Sequence, residues 1–215
     1  MNRLFVALLG ILTSLGIARG PAMAASDKPI RIVAFGDSLT AGYGLRPDES
    51  FPVQLERHLK ARGFAIEIAN AGVSGDTTSG GLARIDWAIS DGVDAVILEL
   101  GANDALSGRP PAEPRKNLDE ILTRLKARGL DVLIAGMRAP RNLGEEYTSA
   151  FDAIFPDLAV KHGSLLYPFF LEGVALDRKL NLSDGIHPTA EGITRIVERI
   201  TPSVERLIAR VRARR

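Results

Sequence analysis

Three short stretches of the chain carry side chains suited to acyl chemistry: Gly36-Asp37-Ser38-Leu39, Gly101-Ala102-Asn103-Asp104 and Asp184-Gly185-Ile186-His187-Pro188. They supply a hydroxyl nucleophile, an amide donor and a carboxylate–imidazole pair, the parts needed to cleave an acyl bond through a covalent intermediate. Asp184 stands three residues before His187. Across one turn it can accept from Nδ1–H, which leaves Nε2 free to take the Ser38 proton. The side-chain amide of Asn103 can donate to an oxyanion. The backbone N–H of Gly75, in Val73-Ser74-Gly75-Asp76-Thr77, and that of Ser38 itself complete a trio of donors. Each residue also has an ordinary explanation: a helix-capping serine, a turn-forming asparagine, an Asp-Gly turn. None of these accounts for His187. His58 falls among charged residues of an amphipathic segment, and His162 precedes a helix-ending Gly163. Asp37, Asp76 and Asp104 read as turn-fixing or capping residues.

These side chains must be positioned by the elements around them. Apolar, β-branched runs recur at Ile30–Phe35, Ala65–Ala69, Ala95–Leu100, Val132–Gly136 and Leu165–Tyr167. The middle ones are almost continuously apolar, as in strands covered on both faces. Helical spacing fills the gaps: Phe51, Leu55 and Leu59; Leu118, Ile121, Leu122 and Leu125; Tyr147, Phe151, Ile154 and Leu158; Ile193, Ile196, Val197 and Ile200. Pro202 is expected to kink or restart the last of these helices. Alternating strands and helices imply one three-layer α/β/α domain on a five-stranded parallel sheet. Ser38 follows the first run, Gly75 the second and Asn103 the third, while Asp184 and His187 follow the last and open the final helix. Ligands of such sheets bind beyond the carboxyl ends of the strands, so the motifs converge on one edge.

Composition narrows the chemistry further. Of the 215 residues, 46% are hydrophobic and 25% charged, enough for one sizeable core. Residues 1–25 read as an export signal: the positive start Met1-Asn2-Arg3, an apolar stretch from Leu4 to Ile17, and Ala22-Met23-Ala24 as cleavage site. The apolar stretch falls short of the roughly 20 residues of a spanning helix; an interfacial anchor is the competing reading. The catalytic domain is then 26–215, periplasmic or secreted. Losing Arg3 and Arg19 takes the formal charge from +1 to −1, which gives no electrostatic reason to bind nucleic acid or anionic membrane. The arginines crowding the C-terminus suit a solvated helix end. The absence of cysteine excludes disulfides, thiolate metal sites and a cysteine nucleophile. G-x-S-x-G, nucleotide-binding glycine motifs and H-E-x-x-H are all missing, so neither metal nor cofactor is expected.

The residues together resemble the SGNH (GDSL) hydrolases, whose name lists serine, glycine, asparagine and histidine: here Ser38, Gly75, Asn103 and His187, with Asp184 completing the triad. The resemblance covers essentially the whole chain after residue 25. It also takes in Gly81-Leu82-Ala83-Arg84, Leu98-Glu99-Leu100-Gly101 and Tyr167-Pro168-Phe169-Phe170. Within that group the chain is most similar to periplasmic multifunctional esterases of the thioesterase, lysophospholipase and arylesterase type. The resemblance implies a flavodoxin-like sheet, a shallow mobile site, hydrolysis of ester and thioester bonds, and a small acyl substrate as sole partner of an expected monomer. Two departures stand out. Ala102 replaces a glycine, and the loop Ala105–Pro111 carries two adjacent prolines that restrict its movement. Two other readings stay open: an esterase for acetylated carbohydrate on the same fold, and a non-catalytic binding module. Leu45, Phe51, Leu106 and Leu143 are expected to favour acyl chains over sugars.

Overall fold

The computed structural model describes residues 28–215, so the expected export signal lies outside the described residues. The chain alternates strand and helix: β1 (Ile30–Gly36), α1 (Ser38–Ala41), α2 (Phe51–Ala61), β2 (Ile66–Gly72), α3 (Thr78–Ala88), β3 (Ala95–Glu99), α4 (Ala102–Leu106), α5 (Ala112–Ala127), β4 (Asp131–Ala135), α6 (Glu145–Asp152), α7 (Ile154–His162), β5 (Leu165–Tyr167) and α8 (Ala190–Arg214). The five strands run in the order β2-β1-β3-β4-β5, every pair parallel. Central β3 is buried along its whole length, whereas edge strand β2 alternates and then opens to solvent. On one side α2 packs against α8; elsewhere α5 packs against both α3 and α7. The expected five-stranded α/β/α fold is the one found.

Strand register sets the position of the site. Gly36, the last residue of β1, lies level with Gly72 of β2 and Glu99 of β3. The turns carrying Ser38, Gly75 and Asn103 therefore leave the sheet at one edge. The chain builds β2 on one side of β1 and β3 on the other, and the crevice where direction reverses is where such folds bind ligands.

Three local expectations need correction. The stripe Tyr147–Leu158 forms two helices, not one, broken at Ala153. Pro156 has no N–H to offer the Asp152 carbonyl, so the ladder lapses there. Pro202 neither ends nor restarts α8, which runs through it as one helix. Pro202 and Glu198 both face solvent, so the carbonyl left without its proline partner can be hydrated. Nor do Asp184 and His187 open α8: they lie in the loop before it, and Thr189 caps the helix through Gly192 N–H. The periodicity search also passes over α3. Its Gly80-Gly81 pair weakens helix propensity, yet a side chain at Gly81 would run into Leu100 and Phe35.

Candidate active site

Ser38 opens the four-residue α1, only 8% exposed. Asp37 caps that turn by accepting from Leu39 N–H at 3.0 Å, and Gly42 ends it in the left-handed conformation. So short a helix presents its first hydroxyl at the sheet edge and nothing more. Opposite it, His187 places Nε2 2.9 Å from Ser38 Oγ. Its Nδ1 lies 2.7 Å from Asp184 Oδ2, while Asp184 Oδ1 accepts from the N–H groups of Ile186 (2.9 Å) and His187 (3.0 Å). Those bonds hold the Asp184 carboxyl down at about 2, the His187 N–H first among them. The ring of Tyr43 packs on His187 with centroids 4.4 Å apart, a contact the sequence did not disclose.

Asn103 and Gly75, the residues expected to hold an oxyanion, come together less symmetrically. Asn103 Nδ2 donates to the Asp76 carbonyl at 2.8 Å and to Asp37 Oδ2 at 3.2 Å, bridging the β1, β2 and β3 turns. Gly75 joins the group only through that neighbour Asp76 and does not line the cleft below. Its φ of +81° explains the glycine; a Cβ there would meet nothing within 4 Å, so close packing is not the reason. Asp104 fixes the start of α3, accepting from Thr78 N–H (2.8 Å) and Oγ1–H (2.7 Å).

Two buried charged residues escaped sequence reasoning as parts of this site. Arg84 pairs with Asp76 at 2.7 Å, donates to the carbonyls of Ala71 and Gly36, and lies 4.0 Å over the Phe35 ring. One guanidinium thus ties the ends of β1 and β2 to the Gly75 turn. Glu99 ends β3 fully buried beneath the Ser38 turn, where it accepts from Thr40 Oγ1–H at 2.8 Å. Burial raises both neighbouring acids, Asp37 to about 6 and Glu99 well above the usual carboxylate range, with the Asp37 charge raising Glu99 further. A charged group at an arginine or glutamate position in a motif otherwise reading as core was the only available signal. His162 is more than a helix-end residue: its Nε2 lies 2.6 Å from Asp119 Oδ1, away from the site.

A cleft of about 550 Å³ opens beside Ser38, Asn103 and His187. Its walls are mostly apolar, with Met137, Phe169, Leu171 and Leu176 prominent. Of the four side chains expected to favour an acyl chain, only Leu106 lines it; Phe51 is buried in the core, and Leu45 packs against it. Arg138 also lines the cleft, exposed, its guanidinium 4.9 Å over Phe169 and without a carboxylate partner among the described residues.

Residues 34–195 match the GDSL-like lipase/acylhydrolase family. The chain is 38% identical over 176 residues to an arylesterase of Vibrio mimicus, covering 81% of this chain and 88% of that protein. It is 34% identical over 178 residues to a thioesterase 1/protease 1/lysophospholipase L1 of Escherichia coli K12, covering 82% and 84%. Among solved structures, that of AlinE4, an SGNH-hydrolase family esterase, superposes with a TM-score of 0.72 at 47% identity, covering 84% of this chain and 97% of the other. The chain belongs to the GDSL-like lipase/acylhydrolase family and is a serine ester hydrolase.

Proposed function

We propose that Ser38 is the nucleophile, His187 the general base and then acid, and Asp184 the group that orients the imidazole. Ser38 Oγ attacks the acyl carbon as its proton passes to His187 Nε2. The oxyanion is held by the N–H groups of Ser38 and Gly75 and by Asn103 Nδ2, whose longer bond, to Asp37, is the one it can share. Collapse expels an alcohol, phenol or thiol that leaves with the proton from His187. Water, deprotonated by the same nitrogen, then frees the acyl group from Ser38. One observation carries this reading: the unbroken line from Asp184 through His187 to Ser38, with contacts of 2.7 and 2.9 Å.

The apolar cleft favours medium-length acyl chains over acetylated sugars. Arg138 at its wall adds positive charge that suits esters and thioesters with an anionic leaving group. No helix among the described residues is long and apolar enough to cross a membrane. With the signal expected in residues 1–25, we place the catalytic domain, 26–215, in the periplasm or outside the cell, as a monomer. Replacing Ser38 with alanine should abolish hydrolysis of p-nitrophenyl acetate and butyrate while the circular dichroism spectrum and Tm are unchanged. Undiminished turnover would end the assignment.

A further inference from the structure

Glu99 is fully buried, and the reaction sequence above makes no use of it. Its Oε2 accepts from Thr40 Oγ1–H at 2.8 Å and, more weakly, from Asp37 N–H at 3.4 Å. Its Oε1 is buried without a donor among the described residues. Room for the carboxyl exists only because residue 36 is glycine: a Cβ there would stand 2.6 Å from Oε2. Among the described residues no cation balances it. The Arg84 guanidinium is committed to Asp76 and to the carbonyls of Ala71 and Gly36, and the His187 ring is bonded to Asp184 and Ser38. An ionised Glu99 would therefore be an uncompensated buried charge beside a second carboxyl, an arrangement that proteins avoid by retaining a proton. Asp37 is the acid next to it, its own N–H directed at Glu99 Oε2. It already accepts from Leu39 N–H on Oδ1 and from Asn103 Nδ2 on Oδ2.

We propose that Glu99 stands in the folded protein as a neutral carboxylic acid donating to the Asp37 carboxylate, and that this pair positions the Asn103 amide for the oxyanion. Glu99 is a positioning residue: it acts on Asn103 through Asp37 and touches no substrate. The same proton lets Asp37 remain an anion, hence a firm acceptor, beneath the nucleophile turn. The proposal rests on the role given above to Asn103, but the proton itself does not.

The proton is therefore tested without turnover, in Ser38→Ala protein. At pH 8 its infrared spectrum should contain the carbonyl stretch of a buried protonated carboxyl, which Glu99→Gln should remove. Unfolding in urea should show stability falling more steeply with rising pH in protein that keeps Glu99 than in Glu99→Gln, because the native state alone holds the proton. A missing band, or equal slopes, would overturn the neutral acid. Positioning is tested in protein that keeps Ser38. Glu99→Leu should lower kcat about 10- to 100-fold, up to the loss of one oxyanion donor, with KM little changed. Glu99→Gln, whose amide can still donate to Asp37, should recover most of that loss. A fully active Glu99→Leu, or a Glu99→Gln as impaired as Glu99→Leu, would overturn positioning. If Glu99→Leu does not fold, a kcat for Glu99→Gln more than about 100-fold below the original enzyme would do so.

Discussion

The two halves of the site are built on opposite plans. The Ser38 side is stitched together from far apart in the chain: Arg84 reaches Asp76 and Gly36, Asn103 reaches Asp37 and Asp76, and Thr40 reaches Glu99. These links converge on the carboxyl ends of β1, β2 and β3 and are mostly buried. The base side is local. Asp184 is bonded only within the next three residues, in a loop between β5 and α8 that is held by Asn181 donating to the carbonyls of Val174 and Asp177. That loop includes Leu176, 95% exposed at a φ of +68°. An oxyanion site works only if its dipoles are fixed in advance, so it belongs where the fold is stiffest. A base needs one contact to the nucleophile and can sit on a surface loop.

Mutations should separate the two sides. Asp184→Asn should lower kcat on the order of 10³- to 10⁴-fold by releasing the imidazole tautomer, while Tm moves by less than about 2 °C. A large fall in Tm would show that the base loop holds the fold together after all. Arg84→Met should do the reverse first, removing about 3–5 kcal/mol of stability in urea unfolding because Asp76 is left buried and unpaired. Loss of under 1 kcal/mol there would break the contrast. Stability against pH gives the two sides opposite signs. The depressed Asp184 contributes stability that is complete above its unfolded value of 3.8 and is lost as pH falls toward about 2. Asp37, raised to about 6, and Glu99, raised above the usual range, bind protons more tightly when folded. Both contributions therefore favour the native state at low pH; that of Asp37 fades as pH rises from about 4 through 6, while that of Glu99 goes on falling at higher pH, at most about 1.4 kcal/mol per pH unit for each proton. Asp37→Asn should flatten that segment of the urea-unfolding curve, and Asp184→Asn should flatten only the acid end. The smallest effect belongs to Tyr43. Replacing it with leucine should remove stacking worth about 0.5–1.5 kcal/mol, seen as a few-fold fall in kcat, and Tyr43→Phe should restore it.

The sheet was legible because long apolar runs such as Ala95–Leu100 carry their own evidence of burial on both faces. Ser38 and Asn103 were legible because each directly follows such a run at the carboxyl edge of the sheet, and His187 because no turn or cap accounts for a histidine three residues after Asp184. What the sequence concealed were long-range contacts. Nothing local to Arg84 discloses Asp76 eight residues away as its partner, or Gly36 as its acceptor. In sequence Glu99 counts only as part of the apolar run Ala95–Leu100, and tertiary burial makes it a second carboxyl under the Ser38 turn. Helix α3 was missed for a related reason: small residues that serve close packing read as poor helix formers. The acyl cleft was hardest, since its walls come from four separate segments and, of its apolar side chains, only Leu106 had been expected to favour an acyl chain.

Because Asp184 and His187 close their hydrogen bonds within four residues, any drift of their loop carries acid and imidazole along as one rigid claw. The only coordinate left to open is the gap to residue 38. Insertions ahead of residue 181 would thus lengthen the loop without uncoupling its working tip, provided the short antiparallel bridge between Asn181 and Pro188 keeps that tip clamped.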